Sequence, residues 1–517
     1  MDTFDLLVVN GLVVTASDTA SYDIAIKDGK IALLAPPGLL SANNATRVID
    51  AEGGYVMVQS SPPFLDIRTF STVTMLIPAN SLGVLTAMSI WRSQRSLAAK
   101  EEAQTRSKQA QGVVSVVEQP QLSFAPQAKT MPSLLSVLDD TQARAQGNCY
   151  TDYSFHMLVG HPGEQALSEF PKLRERGISS LKIYMTYTAL QLRDDEILDV
   201  LLASRKEGIT TMIHAENGDV LNWMTKKLEE RQLYAPKYHA TSRPQIVENE
   251  ATSRAIALAE LMDAPILVVH VSSPGAAAHL RDAQTRGLPV YAETCPQYLY
   301  LTRDHLDKPN FEGAKCVCSP PPRDSAADHD AIWLGLANGT FTVLSSDHCP
   351  FMFEDYETGK KSVISQEFPE GRFKTIPNGC PGIETRLALT LSANRLSPQK
   401  FVEVTSTNAA RLYGLYPQKG TILPGVSDAD LNIWYPPGKL APFKLTNDML
   451  HHNVDYTPFE GVELNQWPRY TILRGQVVWD RDNGGLLATK GCGQFLHRGK
   501  STLPGPRKEG DWDVSVF

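Results

Sequence analysis

Four residues of this 517-residue chain have the types and placement to do chemistry together: Lys182 in LKIYMTY, His214 in MIHAEN, His270 in VVHVSS and Asp347 in SSDHCP. Taken singly, each has a plain explanation. A histidine or lysine at the end of an apolar run is usually a satisfied polar group, and Asp347 could cap a following helix. Taken jointly, two imidazoles, a carboxylate and a lysine that can be carbamylated into an oxygen ligand form a donor set suited to zinc.

Such a set works only if the chain brings the four residues to one place. From Leu122 to about Tyr413, buried-strand runs alternate with helical stretches: YSFHMLVG, SSLKIYMTY, TTMIHAENG, PILVVHVSS, LPVYAETCP and FTVLSSDHCP, with segments such as DDEILDVLLASRKEG between them. That alternation predicts an α/β fold, a (β/α)8 barrel, and each residue of interest lies at the C-terminal end of its strand, where barrel active sites gather. The first 57 residues read instead as short strands, with Asn10-Gly11 and Asp28-Gly29 as turn signals. Residues 420–490 repeat that style. The expected organisation is a small β-sandwich built from 1–57 and 420–490, a hydrolase barrel over 58–419, and a C-terminal tail over 491–517.

Composition narrows the function classes. A formal charge of -8 with 42% hydrophobic residues gives no basic footprint for nucleic acid. Seven scattered cysteines, an odd number, fit a reducing compartment, and Cys316 and Cys318 read as strand residues. The acidic start MDTFDLLVVNG lacks the basic opening of a signal peptide, so cytosol is the expected location. The uncharged run Thr69 to Trp91 is long enough to cross a bilayer, but Pro78, Asn80 and several hydroxyls argue against a membrane helix.

The chain resembles the dihydropyrimidinases and hydantoinases of the amidohydrolase superfamily. The resemblance is carried by VIDAEGGYVM, LKIYMTY, IHAENGD, ETCPQYLYLT, CVCSPPPR, SSDHCPF, IPNGCPGIETRL and STNAARLYGLYPQKGTILPGVSDADLNIW, in that order. It implies a two-zinc site in which carbamylated Lys182 bridges the metals, His214 and His270 hold one, and Asp347 belongs to the other. It also implies that Asp347 moves the proton of the attacking water, that Tyr187 stabilises the oxyanion, and that backbone groups at Ser319 and Asn378 hold the cyclic substrate. The expected reaction opens dihydrouracil, dihydrothymine or hydantoin rings to N-carbamoyl amino acids, and the expected assembly is a homotetramer. Which ring is preferred depends on loop shape at the barrel mouth.

One family element is missing. A His-x-His pair should follow the strand at Tyr55–Met57, yet the first of the 12 histidines is His156. Displaced by one nucleotide, the codons of Leu82 to Ile90 permit Pro-Gly-Gly-Val-Asp-Cys-His-Val-His, and the same displacement over Thr105 to Gln121 permits a family-like continuation. Residues 58–121 are therefore expected to be a frame-shifted or mis-spliced segment that disrupts the first barrel strand and helix. The chain itself is expected to be impaired, with one zinc or none in place of two. Two other readings stand beside it: a non-catalytic relative used as a scaffold, and a one-zinc hydrolase using Lys182, His214 and His270.

Overall fold

Asp28 and Gly29 take left-handed φ values of 52° and 76°, which turns strand β2 (Thr19–Lys27) tightly into β3 (Lys30–Ala35). This fold is described by a computed structural model covering residues 3–58, 64–65, 115–118 and 133–508. Asn10-Gly11 behaves differently from expectation. It is no hairpin turn but an irregularity inside one long strand, β1 (Phe4–Val14), where the register against β2 shifts between Val8 and Gly11. Asn10 has φ 57°, and a Cβ on Gly11 would come within 2.5 Å of the Val56 side chain. The bulge has a purpose: β1 pairs with β4 (Ala45–Asp50) up to Val9 and with β5 (Tyr55–Val58) from Leu12 onward.

β5 next pairs with β15 (Leu431–Trp434), which continues into β18 (Pro468–Leu473), β19 (Gln476–Asp480) and β20 (Gly485–Leu486). Both ends of the chain thus share one nine-stranded sheet. Its core is apolar and fully closed around Val8, Ile24, Val56, Ile433 and Trp434.

Between these ends lies a run of parallel strands. β9 (Met157–Leu158), β10 (Ser180–Tyr184), β11 (Thr210–His214), β12 (Ile266–Val268), β13 (Val290–Thr294) and β14 (Val343–Leu344) pair in chain order. One residue before β9, β8 (Asp152–Phe155) pairs in parallel with β7 (Ser115–Glu118), and β7 with β6 (Phe64–Leu65). The result is the strand succession of a (β/α)8 barrel, with helices such as Asp194–Glu207, Gln245–Met262 and Pro274–Thr285 between the strands. β6 is two residues long, and among the described residues no pairing joins β14 back to it. The remainder of the anomalous segment, including the run Thr69 to Trp91 and the stretch from Leu82 to Gln121 outside β7, lies outside the described residues.

The strands are buried on both faces. Leu181, Ile183, Ile213, Val268 and Ala292 pack toward the helices, whereas Met212, Leu267, Val269 and Val343 form a separate cluster on the opposite face. Strand alternation then puts Lys182 and Tyr184 on the inner side, since they alternate with Leu181 and Ile183. Cys316 ends a 3-10 turn, Glu312–Cys316, and Cys318 lies in the loop after it, so neither is a strand residue. The reason is local: Pro320, Pro321 and Pro322 follow, and proline removes the N–H groups a strand ladder needs. Residues 491–508 of the tail lie along the same chain's barrel, with Phe495 bridging to Tyr153 of β8 and Arg498 fully buried.

Candidate active site

Lys182 is buried in the middle of β10, its ammonium 5.1 Å from the centre of the Tyr184 ring. The parallel register sets Tyr184 beside His214, the last residue of β11. His214 closes β11, and His270 lies two residues beyond β12 and Asp347 three beyond β14, whereas Lys182 sits mid-strand, two residues before the C-terminal end expected of it. The rings of His214 and His270 meet edge to face at 4.5 Å, and Tyr187 lies 5.3 Å from His214. His214 and His270 are thereby brought together directly. Asp347 follows β14, which pairs with β13 at Thr294 and Leu344.

Three of these residues bend the chain unusually. Tyr187, His270 and Asp347 have φ values of 65°, 43° and 45°, a region that side chains other than glycine and asparagine seldom occupy. Each such position costs on the order of 1–3 kcal/mol and persists only where the surroundings enforce it. At His270 the enforcement is visible: its N–H points to Glu293 Oε1 at 3.3 Å, and the next N–H, of Val271, donates to the Glu293 carbonyl at 2.7 Å. Beyond Asp347, His348 Nδ1 accepts the N–H groups of Gly382 and Ile383 at 3.0 and 3.2 Å.

Ser319 and Asn378 lie on two loops that one buried cation joins. Lys360 donates to the carbonyls of Val317, Pro377 and Gly379 at 3.0, 2.8 and 2.8 Å, and burial pulls its pKa down. Gly379 N–H adds a bond to the Val317 carbonyl at 2.9 Å. Ser319 Oγ and Asn378 Oδ1 are buried with no hydrogen-bond partner among the described residues, which suits groups kept for a polar ligand. A cavity of about 270 Å³ lined by Leu167, Phe170, Asp199 and Lys206 belongs to the outer helices and includes none of these residues.

The metal question rests on donor chemistry. Among the described residues, no three His, Cys, Asp or Glu side chains form a ready-made metal cage. Yet His214 Nε2 lies 2.8 Å from Glu216 Oε2, and an ionised carboxylate can only accept, so a neutral His214 carries its proton on Nε2 and its lone pair on Nδ1. That is the protonation state of a metal-ligating histidine. His156, the first histidine of the chain, is fully buried against Ser180 and Tyr413, and burial, with the Arg498 and Lys182 charges, holds its pKa well below the usual value.

The amidohydrolase family model matches residues 147–478, the stretch that contains every one of these positions. This chain belongs to that family. The D-hydantoinase of Ralstonia pickettii is 35% identical over 500 residues, covering 96% of this chain and 99% of the relative. A D-hydantoinase crystal structure superposes with a TM-score of 0.83 at 35% identity, covering 96% of this chain and 99% of the other. The dihydropyrimidinase of Brevibacillus agri does so at 0.84 and 34%, with the same coverage. The amidohydrolase described here is by family a cyclic amidohydrolase of the hydantoinase and dihydropyrimidinase type.

Several residues of this amidohydrolase site escaped the sequence reading. Glu216, two residues past His214, and Glu293, inside an otherwise apolar strand, both carried a signal: a charge where the pattern demands burial. Arg243 and Lys360 carried none, because their partners lie 27 and 17 to 43 residues away.

Proposed function

We propose that this barrel mouth is built to open cyclic amides (5,6-dihydrouracil, dihydrothymine and hydantoins) to N-carbamoyl amino acids with the help of zinc, and that this chain is impaired because it retains only part of the metal set. The observation that carries the reading is the His214–His270 contact at 4.5 Å, with the His214 proton directed to Glu216. Those two imidazoles would hold one cation, with carbamylated Lys182 supplying an oxygen and Asp347 standing beside it. Zinc held there supplies Lewis-acid polarisation and lowers the pKa of water.

The chain's own groups carry the remaining steps. Asp347 would accept a proton from the attacking water and hand it to the ring nitrogen as the carbon–nitrogen bond breaks. Tyr187, aimed by its left-handed backbone toward the His214 ring, would donate to the carbonyl oxygen as negative charge develops there. Ser319 and Asn378 would hold the ring's polar edge, their loops joined by Lys360. The second zinc of the resemblance needs a pair of ligands upstream of His156, and no histidine lies there. The same proposal includes a cytosolic homotetramer.

The test is zinc content by elemental analysis and dihydrouracil opening by the purified chain. The expected result is about one zinc per chain, with turnover below the roughly 1–10³ per second usual for enzymes. A pair of zincs with brisk turnover overturns the impairment, and a chain that takes up no zinc overturns the metal assignment.

A further inference from the structure

His214 does not face the site alone. Its Nε2–H donates to Glu216 Oε2 at 2.8 Å, and the same oxygen receives Arg243 Nη1 at 2.5 Å. Glu216 is fully buried, so an ionised carboxylate there needs its counter-charge, and Arg243 provides it. The Arg243 guanidinium also lies 5.6 Å from the centre of the Tyr187 ring. One carboxylate and one guanidinium therefore connect the two rings that the proposed reaction uses on this side of the mouth.

The connection extends to the His270 side. Arg323 Nη1 donates to the Arg243 carbonyl at 2.7 Å, while its Nη2 and Nε reach Glu248 Oε2 at 2.6 Å and Ser272 Oγ at 2.8 Å. Glu248 in turn accepts the Ser272 N–H at 2.8 Å and its hydroxyl at 2.6 Å, two residues beyond His270. Arg323 is four residues past Ser319. A continuous buried network thus runs from the His214 loop through Arg243 to the loops of His270 and Ser319.

We propose that Glu216 and Arg243 are positioning residues of this site: Glu216 holds His214 in the tautomer that presents Nδ1, and Arg243 couples that orientation to Tyr187. The inference rests on the metal assignment above only for its zinc readout. The physical basis is that a ring nitrogen cannot donate and ligate at once. A carboxylate locked by an arginine removes the alternative tautomer, and partners of this kind are worth roughly 10–100-fold in metal affinity.

The experiment uses the full chain, with Glu216→Gln, Glu216→Ala and Arg243→Ala compared against it. In metal-free protein, ¹⁵N resonances of labelled histidine, assigned with His214→Gln, report the tautomer. The expected result is a single Nε2–H form in the parent and in Glu216→Gln, whose amide oxygen still accepts, and a mixture in Glu216→Ala. Competition with a zinc chelator should show about 10–100-fold weaker binding for Glu216→Ala, with most of the affinity restored in Glu216→Gln. Arg243→Ala should broaden the His214 resonances and shift the Tyr187 ring signals. A parent His214 protonated on Nδ1, or a Glu216→Ala protein with an unchanged tautomer, overturns the inference. A parent that binds no zinc but keeps the Nε2–H tautomer sinks the metal assignment and leaves the positioning role standing.

Discussion

His239 shows how a single buried group sets a pH dependence. Its Nε2–H donates to the Cys318 carbonyl at 2.8 Å, on the loop that leads to Ser319. Burial first, and then the Arg243 charge, pull its pKa from 6.5 to about 3, outweighing the Cys318 bond and Glu216. The folded chain thus binds fewer protons than the unfolded chain between those values. Stability is fully present above pH 6.5 and is lost as the pH falls toward 3. Urea unfolding should show about 2 kcal/mol of loss between pH 7 and 5 from this residue alone. His239→Gln, which keeps a donor to Cys318, should flatten that slope by the same amount. Because His156 and His452 are also depressed by burial, the difference between the two proteins, not the parent's slope, is the quantity to compare.

At the scale of elements, the site depends on short connections between strand ends and helix starts. Ser273 begins the helix Pro274–Thr285, three residues past His270, and its Oγ accepts the Ala276 N–H at 3.2 Å while donating to Asn249 at 2.6 Å. One hydroxyl both caps this helix and fastens it to the neighbouring helix Gln245–Met262. Ser273→Ala should cost about 1–2 kcal/mol, read as a lower urea midpoint with an unchanged slope. The helix Asp194–Glu207 was legible in DDEILDVLLASRKEG, as were the strands from YSFHMLVG to FTVLSSDHCP, although the first of these runs divides into β8 and β9 at His156. The bulge at Asn10-Gly11 was not. The same dipeptide makes a turn or a bulge according to which strands lie beside it, and β4 and β5 come from more than 30 residues away.

At the scale of the molecule, one lysine joins the two parts of the chain. Lys419 Nζ contacts Asp152 of β8 at 2.8 Å and Asp428 at 3.0 Å, and also binds Asp430 just before β15. Asp152 further takes Arg474, from the turn between β18 and β19, and the Gln494 N–H of the tail. Burial opposes the charge on Lys419, but the three carboxylates prevail and raise its pKa, while Asp430 is pushed up by its own burial. Lys419→Met would leave three carboxylates facing one another without their shared cation. It should destabilise the protein by about 3–5 kcal/mol in urea unfolding. Replacing the exposed Lys237, whose partner Asp307 is at the surface, should leave the urea midpoint unchanged.

What the sequence determined by itself is the succession of strands and the strand ends on which His214, His270 and Asp347 lie. Each follows from a pattern within about ten residues: apolar alternation, a polar residue closing it, a helix after it. What the tertiary structure alone decided is how those residues are held. The Glu216–Arg243 pair, the Lys360 bridge between the Ser319 and Asn378 loops, and the ion cluster at Lys419 join segments from 17 to 267 residues apart. No local pattern encodes such pairs, because a buried charge chooses its partner by proximity after the chain has closed.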